Sequence, residues 1–346
     1  STQGYSSAAS DVYKRQIRKM KQEKRSLHME DVLSMGFCIL QNIFVPLQYS
    51  FKLGVLYMVT TSVNKEWVKL KDLSSAFSRS AFVDVLNYND YSHFNWLASK
   101  YDTLKCTTYF ELLKKSYSLI SKYYRCEYVY KNELIKLLLK KYGARDSVYF
   151  SEFRVGNSIA DMVMFNGESK AFEIKTEYDT PRRLDKQMED YKRFFDKCYL
   201  VVPEDRLEEY YNIVEPTTGI ITMSRDNGRI ILKEVRSVYQ NEHFEPKTLM
   251  SCLRTDEYKN IALSLGVSLD GVAGYDMYTY CYNVISHADS GKVREFFLRE
   301  VKKRKNNTSL LRKYPMSIRQ MMLSLNLPED KANKLLKQLN ININHA

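Results

Sequence analysis

Glycine and proline are scarce in this chain, 12 and 7 among 346 residues. So few backbone breakers predict an ordered, helix-rich protein. The six cysteines (Cys38, Cys106, Cys126, Cys198, Cys252 and Cys281) include no Cys-x-x-Cys pair. That spacing excludes a zinc ribbon and gives no disulfide framework, so they read as reduced cytosolic thiols. There is no Walker lysine loop, no Gly-x-Gly-x-x-Gly, no His-Glu-x-x-His and no Gly-x-Ser-x-Gly. The nucleotide-binding, zinc-protease and serine-hydrolase signatures are therefore absent from the chemistry to be explained.

What is abundant is tyrosine and positive charge. Hydrophobic residues make up 44% of the chain, enough for one large domain or two with an ordinary core. The formal net charge is +12. Because the basic residues are spread through the chain, that balance favours an anionic partner, nucleic acid ahead of a membrane. Residues 7–16 (SAASDVYKRQ) look like translated sequencing-adaptor sequence, and 1–16 are set aside as an artefact. Within a helical region over 17–125, residues 32–63 are largely apolar and long enough to span a bilayer. Gln41, Asn42, Pro46 and Gln48 interrupt that stretch. A buried helix pair, or upstream sequence foreign to the protein, is the preferred reading, with a cytoplasmic location. Trp67, His93 and Trp96 read as packing residues.

The stretch from Val148 to Pro203 carries the information. Three apolar segments with period-two alternation are separated by Gly156-Asn157 and by Asn166-Gly167-Glu168. A helical stretch, Arg182 to Phe195, follows, then a strand, Cys198 to Pro203. Charges sit inside these strands: Asp161 in an otherwise apolar run, and Glu173 and Lys175 on one face with Phe172 and Ile174 on the other. A charge in a buried strand is costly unless paired or metal-bound. Directly opposed residues of an antiparallel hairpin have a constant index sum. A three-residue loop centred on Gly167 therefore puts Asp161 opposite Glu173, and a two-residue Gly156-Asn157 loop puts Glu152 opposite Asp161. Three carboxylates and Lys175 then converge, unless either turn slips by one residue. The plain structural alternative is an ion pair between Glu173 and Lys175 flanking a core strand.

Upstream, Lys131 to Tyr142 is an amphipathic helix closed by Gly143, with Glu133 either a further acid of the site or a solvated first-turn acid. Downstream, Glu204 to Val214 reads as a helix, and Gly219 to Met223 with Arg229 to Val235 as a hairpin around Asp226-Asn227-Gly228. From Pro246 the chain is helical. The run KVREFFLREVKKRKNN is basic, either a solvated face or a phosphate contact. The tail PMSIRQMMLSLNLPEDKANKLLKQL reads as a helical hairpin turning at Leu325 to Pro328. Glu329 and Asp330 at the start of its second helix would repel DNA phosphates.

Asp161, an eleven-residue gap, and Glu173-Ile174-Lys175 resemble the PD-(D/E)XK nuclease superfamily, in the order strand, strand with Asp, strand with Glu-x-Lys, helix, strand. Gln187-x-x-x-Tyr191 is similar to the helix motif of its RecB-like branches, and the run from Glu173 to Tyr191 looks like an uncharacterised bacterial group within it. Ala160-Asp161 stands where proline-aspartate is usual. The resemblance covers about Tyr130 to Val238. It implies an α/β (α+β) restriction-endonuclease-like core over 126–240, a mixed central sheet flanked by helices, with helical regions before it and over 241–346. It also implies Mg2+, with Mn2+ as substitute, on Asp161, Glu173 and the Ile174 carbonyl, with Glu152 as a further ligand. Lys175 acts on the water or the phosphate, and Gln187 joins it in the catalytic set. Arg182, Arg183 and Tyr191 lie towards the substrate. The function expected is a metal-dependent DNA endonuclease acting in defence against foreign DNA, with no small-molecule cofactor. The alternative is a nuclease-fold DNA-binding or regulatory protein without turnover.

Overall fold

The computed structural model describes residues 65–241 and 244–343. The suspected artefact at 1–16 and the apolar stretch 32–63 lie outside them. Among the described residues no helix is long and apolar enough to cross a membrane.

Helices come first: α1 (65–75), α2 (Arg79–Tyr88), α3 (Ser92–Lys100), α4 (Tyr109–Tyr123) and α5 (Glu127–Tyr142). Ser78 and Thr108 cap α2 and α4, accepting from the amides of Ala81 and Glu111, which takes up backbone donors that have no partner within the helix. Helix α5 starts one turn earlier than its periodicity suggests, because Cys126 stays extended as its N-cap.

The sheet follows: β1 (Val148–Val155), β2 (Ser158–Phe165), β3 (Ser169–Ile174), β4 (Lys197–Pro203), β5 (Gly219–Asp226) and β6 (Arg229–Arg236). Its spatial order is the sequence order. The first three strands form an antiparallel meander, β3–β4–β5 run parallel, and β6 returns antiparallel. The parallel steps need crossovers. The first is a 3-10 turn at Pro181–Arg183 leading into α6 (Leu184–Lys192), and the second carries α7 (Leu207–Tyr211). Glycine allows the tight returns: Gly156 has φ 55° and Gly167 φ 97°, where a side chain would be strained.

Beyond the sheet come α8 (Pro246–Cys252), α9 (Thr255–Ser264), α10 (Met277–His287) and α11 (Ser290–Lys302), then α12 (Arg319–Leu325) and α13 (Glu329–Leu339). Two cores flank the sheet. One joins Met162, Phe172 and Tyr199 to α1–α5 and to α12 and α13. The other joins Val163, Ala171 and Leu200 to α6 and α8–α11. The molecule is thus mixed α/β, a six-stranded mixed sheet between two helical layers. The basic run along α11 is largely engaged internally: Arg294 pairs with Asp196, Lys303 with Glu300, and Arg304 with Glu257.

The last helices reach back to the first layer. The Gln338 side chain donates to the Val85 carbonyl at 2.8 Å, and Ile343 N donates to the Thr107 carbonyl at 2.9 Å. Asn132 on α5 donates to the Met316 carbonyl (2.6 Å) and accepts from Gln320 N (2.9 Å). The chain end therefore fixes α5 against β1.

Candidate active site

The register is the one that the turn lengths require. Met162 pairs with Phe172 and Phe165 with Ser169, so the next opposed pair is Asp161 with Glu173. Ser151 pairs with Met162 and Phe153 with Ala160, which sets Glu152 opposite Asp161. Opposed side chains in such pairs have Cβ atoms roughly 5 Å apart.

The β2–β3 ladder ends at Met162–Phe172, and the chemistry begins there. Asp161 Oδ2 accepts from Ile174 N at 2.8 Å, taking the place of a backbone acceptor. Glu173 is fully buried. Its Oε1 lies 2.6 Å from Lys175 Nζ and its Oε2 accepts from the Tyr191 hydroxyl at 2.6 Å. Lys175 also donates to Gln187 Oε1 at 3.0 Å, and the Tyr191 hydroxyl lies 2.8 Å from the Ile159 carbonyl. Gln187 and Tyr191 stand one helical turn apart on α6, so both reach the sheet from the same face. The structure thus brings Asp161, Glu173, Ile174, Lys175, Gln187 and Tyr191 together. Ile174 takes part through its N–H. Arg182 and Arg183 are exposed on the turn ahead of α6, with no ion pair or hydrogen bond among the described residues. Glu173 and Lys175 do form the ion pair of the structural alternative, but inside a buried network rather than on a strand surface.

Two features depart from simple alternation. Phe150 and Phe153 both pack in the core against α6, as do Ala160 and Val163, so each strand turns over near Glu152–Asp161. Glu152 has φ 58°, a conformation that residues with side chains rarely adopt within a strand. Its carboxylate is mostly exposed and contacts Lys131 Nζ at 3.7 Å. The second feature is Lys131 itself, which sequence reasoning treated only as the start of a helix. Its buried ammonium lies 3.4 Å from Asp161 Oδ1 and 2.5 Å from Glu127 Oε1. The available signal was its position on the face of Leu134, Ile135 and Leu138, where an apolar residue is expected. Glu133, two residues on, lies on the other side of the helix. It accepts from Tyr117 and Lys136 and makes no contact with the other acids.

Electrostatics follow from this crowding. Burial, and then repulsion by Glu173, push the Asp161 carboxyl up to about 7, against the pull of Lys131. Burial opposes the charge on Lys131, but Asp161 and Glu127 outweigh it and hold its pKa above the ordinary lysine value. Burial, then Glu173, push the Tyr191 phenol well above its usual range, so it stays a donor.

Residues 120–326 match the family described as Bacteriophage P4 protein cII. The chain belongs to that family. A curated relative, Protein cII of Enterobacteria phage P4, is 26% identical over 179 residues, 51% of this chain and 66% of the relative. The chain therefore spans just under two thirds of that relative's length. A solved structure, a protein of unknown function from Silicibacter pomeroyi, is 18% identical over 38% of this chain and 88% of its own, with a TM-score of 0.25, too low to carry structural argument. The family match contains every strand and every residue of the site, from Lys131 to Tyr191.

The donor set suits a hard divalent ion. Among the described residues no group of three or more His, Cys, Asp and Glu side chains forms a ready cage. Mg2+ is commonly held by one or two carboxylates, with waters and substrate phosphate completing its shell. Asp161 and Glu173 supply two such carboxylates on adjacent strands.

Proposed function

We propose that this member of the family is a divalent-metal-dependent nuclease with a restriction-endonuclease-like core, hydrolysing phosphodiester bonds in DNA. The observation that carries the reading is the joint arrival of Asp161 and Glu173 on adjacent strands, with Lys175, Gln187 and Tyr191 bonded around them. Mg2+, or Mn2+ in its place, would be held by the two carboxylates. When bound, it supplies neutralising charge at the phosphate and a more acidic water. The protein's own residues do the rest. Lys175 presents its ammonium beside Glu173, placed to hold or move a proton, and Gln187 fixes that ammonium's direction. Tyr191 holds Glu173 in one rotamer. Arg182 and Arg183, exposed on the turn ahead of α6, would grip backbone phosphates.

One observation favours a second reading, a nuclease-fold DNA-binding protein without turnover: each buried acid already has a lysine partner. A cleavage assay on single- and double-stranded DNA and RNA separates the two. The nuclease reading expects cleavage with Mg2+ or Mn2+, none in chelator, and none for Asp161→Asn or Glu173→Gln. Cleavage untouched by both substitutions overturns the site assignment. DNA binding without cleavage under every ion selects the second reading.

A further inference from the structure

Two carboxylates and two ammonium groups meet at the centre. Glu173, Lys131 and Lys175 are buried, at 2%, 5% and 11% exposure, and Asp161 is half-buried at 20%. Glu127 and Glu152 also touch Lys131, with side chains 57% and 66% exposed, so each offsets its charge less than a buried partner would. Before any ion or substrate arrives, the two ammonium groups offset attraction that the two carboxylates would exert on a divalent cation.

Lys131 is an expensive way to fill this position. An apolar side chain would continue the stripe of Leu134, Ile135 and Leu138, whereas a buried ammonium must be compensated to stay charged. The surroundings are built to compensate it. Glu152 adopts its rare backbone conformation at the point where its carboxylate meets this ammonium. The adjacent Asn132 is bonded on both sides to the turn and first residues of α12, which holds this part of α5 in place.

The ammonium is also too near to be neutral towards an ion. A divalent cation on Asp161 Oδ1 would lie no farther from Lys131 Nζ than an ordinary Mg–O bond plus the 3.4 Å gap, roughly 5.5 Å. Repulsion at that range lowers affinity roughly tenfold even at the dielectric constant of water, and more in a buried site.

Building on the nuclease reading, we propose that Lys131 is the centre's own counter-cation, which keeps divalent-ion affinity low until a phosphodiester adds its negative charge. Ion and nucleic acid then bind cooperatively. By linkage the coupling is reciprocal: each raises the other's affinity by the same factor.

The test is calorimetric Mn2+ titration of the full chain, alone and with a phosphorothioate DNA oligonucleotide that resists cleavage. Wild type should bind Mn2+ weakly alone and roughly tenfold or more tightly with the oligonucleotide. Lys131→Met and Lys131→Gln should bind Mn2+ roughly tenfold or more tightly without it, with the coupling reduced. Lys131→Arg, which keeps the charge, and Lys136→Met, at an exposed lysine on the same helix, should match wild type. Lys131→Met and Lys131→Gln variants that keep the wild-type circular dichroism spectrum but bind Mn2+ no better than wild type overturn the proposal. Asp161→Asn separates the two levels of the argument. If it leaves Mn2+ binding intact, the metal-site reading falls. If it abolishes binding while the Lys131 variants match wild type, only the counter-cation role falls.

Discussion

Replacing Asp161 by asparagine should make the metal-free protein more stable, and more so at higher pH. Asp161 ionises near 7 in the folded chain against 3.8 as a free side chain. A folded pKa above the unfolded one means that the folded state binds the proton more tightly. Its stabilising effect is complete below about pH 4 and is lost as pH rises through 7. Three pKa units correspond to about 4 kcal/mol, an upper bound because Asp161 and Glu173 share the repulsion. Asparagine can still accept from Ile174 N but carries no charge, so it removes the pH-dependent penalty. It also deprives Lys131 of a charged partner, a pull already contained in the folded pKa of Asp161. The two proteins are compared by urea denaturation in chelator at pH 5 and pH 8. The stability difference should move in favour of Asp161→Asn by about 1–3 kcal/mol between pH 5 and pH 8. Added Mn2+ should then stabilise wild type and leave the variant unchanged. A difference that stays flat across the range would refute the crowding of the two carboxylates on which the site rests.

Lys175→Ala should abolish single-turnover cleavage while Mn2+ binding persists; a Lys175→Met variant that cleaves normally and shifts only the melting temperature would reduce the motif to a buried ion pair. Tyr191→Phe removes the hydroxyl that donates to Glu173 and should destabilise the fold by about 1–3 kcal/mol, read by urea denaturation, with a matching loss of Mn2+ affinity. Gly219→Ala tests packing alone: its Cβ would meet the Tyr199 ring at 2.7 Å and Val238 at 2.9 Å, unseating the ring that stacks on Phe172. A loss of about 1–3 kcal/mol in thermal unfolding is expected, with the cleavage chemistry of the folded fraction unchanged.

The central meander was legible because short turns leave register little freedom. Two residues at Gly156-Asn157 and three around Gly167 fix which side chains oppose each other, and Asp161 and Glu173 followed. The partners on α6 were legible from i, i+4 spacing. What could not be read was anything decided by a distant element. Lys131 looked like a helix terminus because Cys126, rather than any periodic residue, begins α5. Its burial is set by β1, β2 and the chain end. The reversal of alternation at Glu152 carries no glycine or proline to announce it, and it exists because Phe150 and Phe153 both pack into one core. Glu133 drew attention as the nearest upstream acid, but helical geometry turns it towards α4.

The return of α12 and α13 to the first helical layer bears on how the chain comes off the ribosome. The acids and Lys175 are made midway, and their sheet partners follow soon after. Yet the contacts that help to seat α5, Asn132 with Met316 and Gln320, come far downstream of Tyr191 in chain order. A chain halted after α11 would carry every residue of the centre, with α5 packed on the sheet but without the two Asn132 bonds. The seating of the centre is thus completed only after all of its own residues have been made.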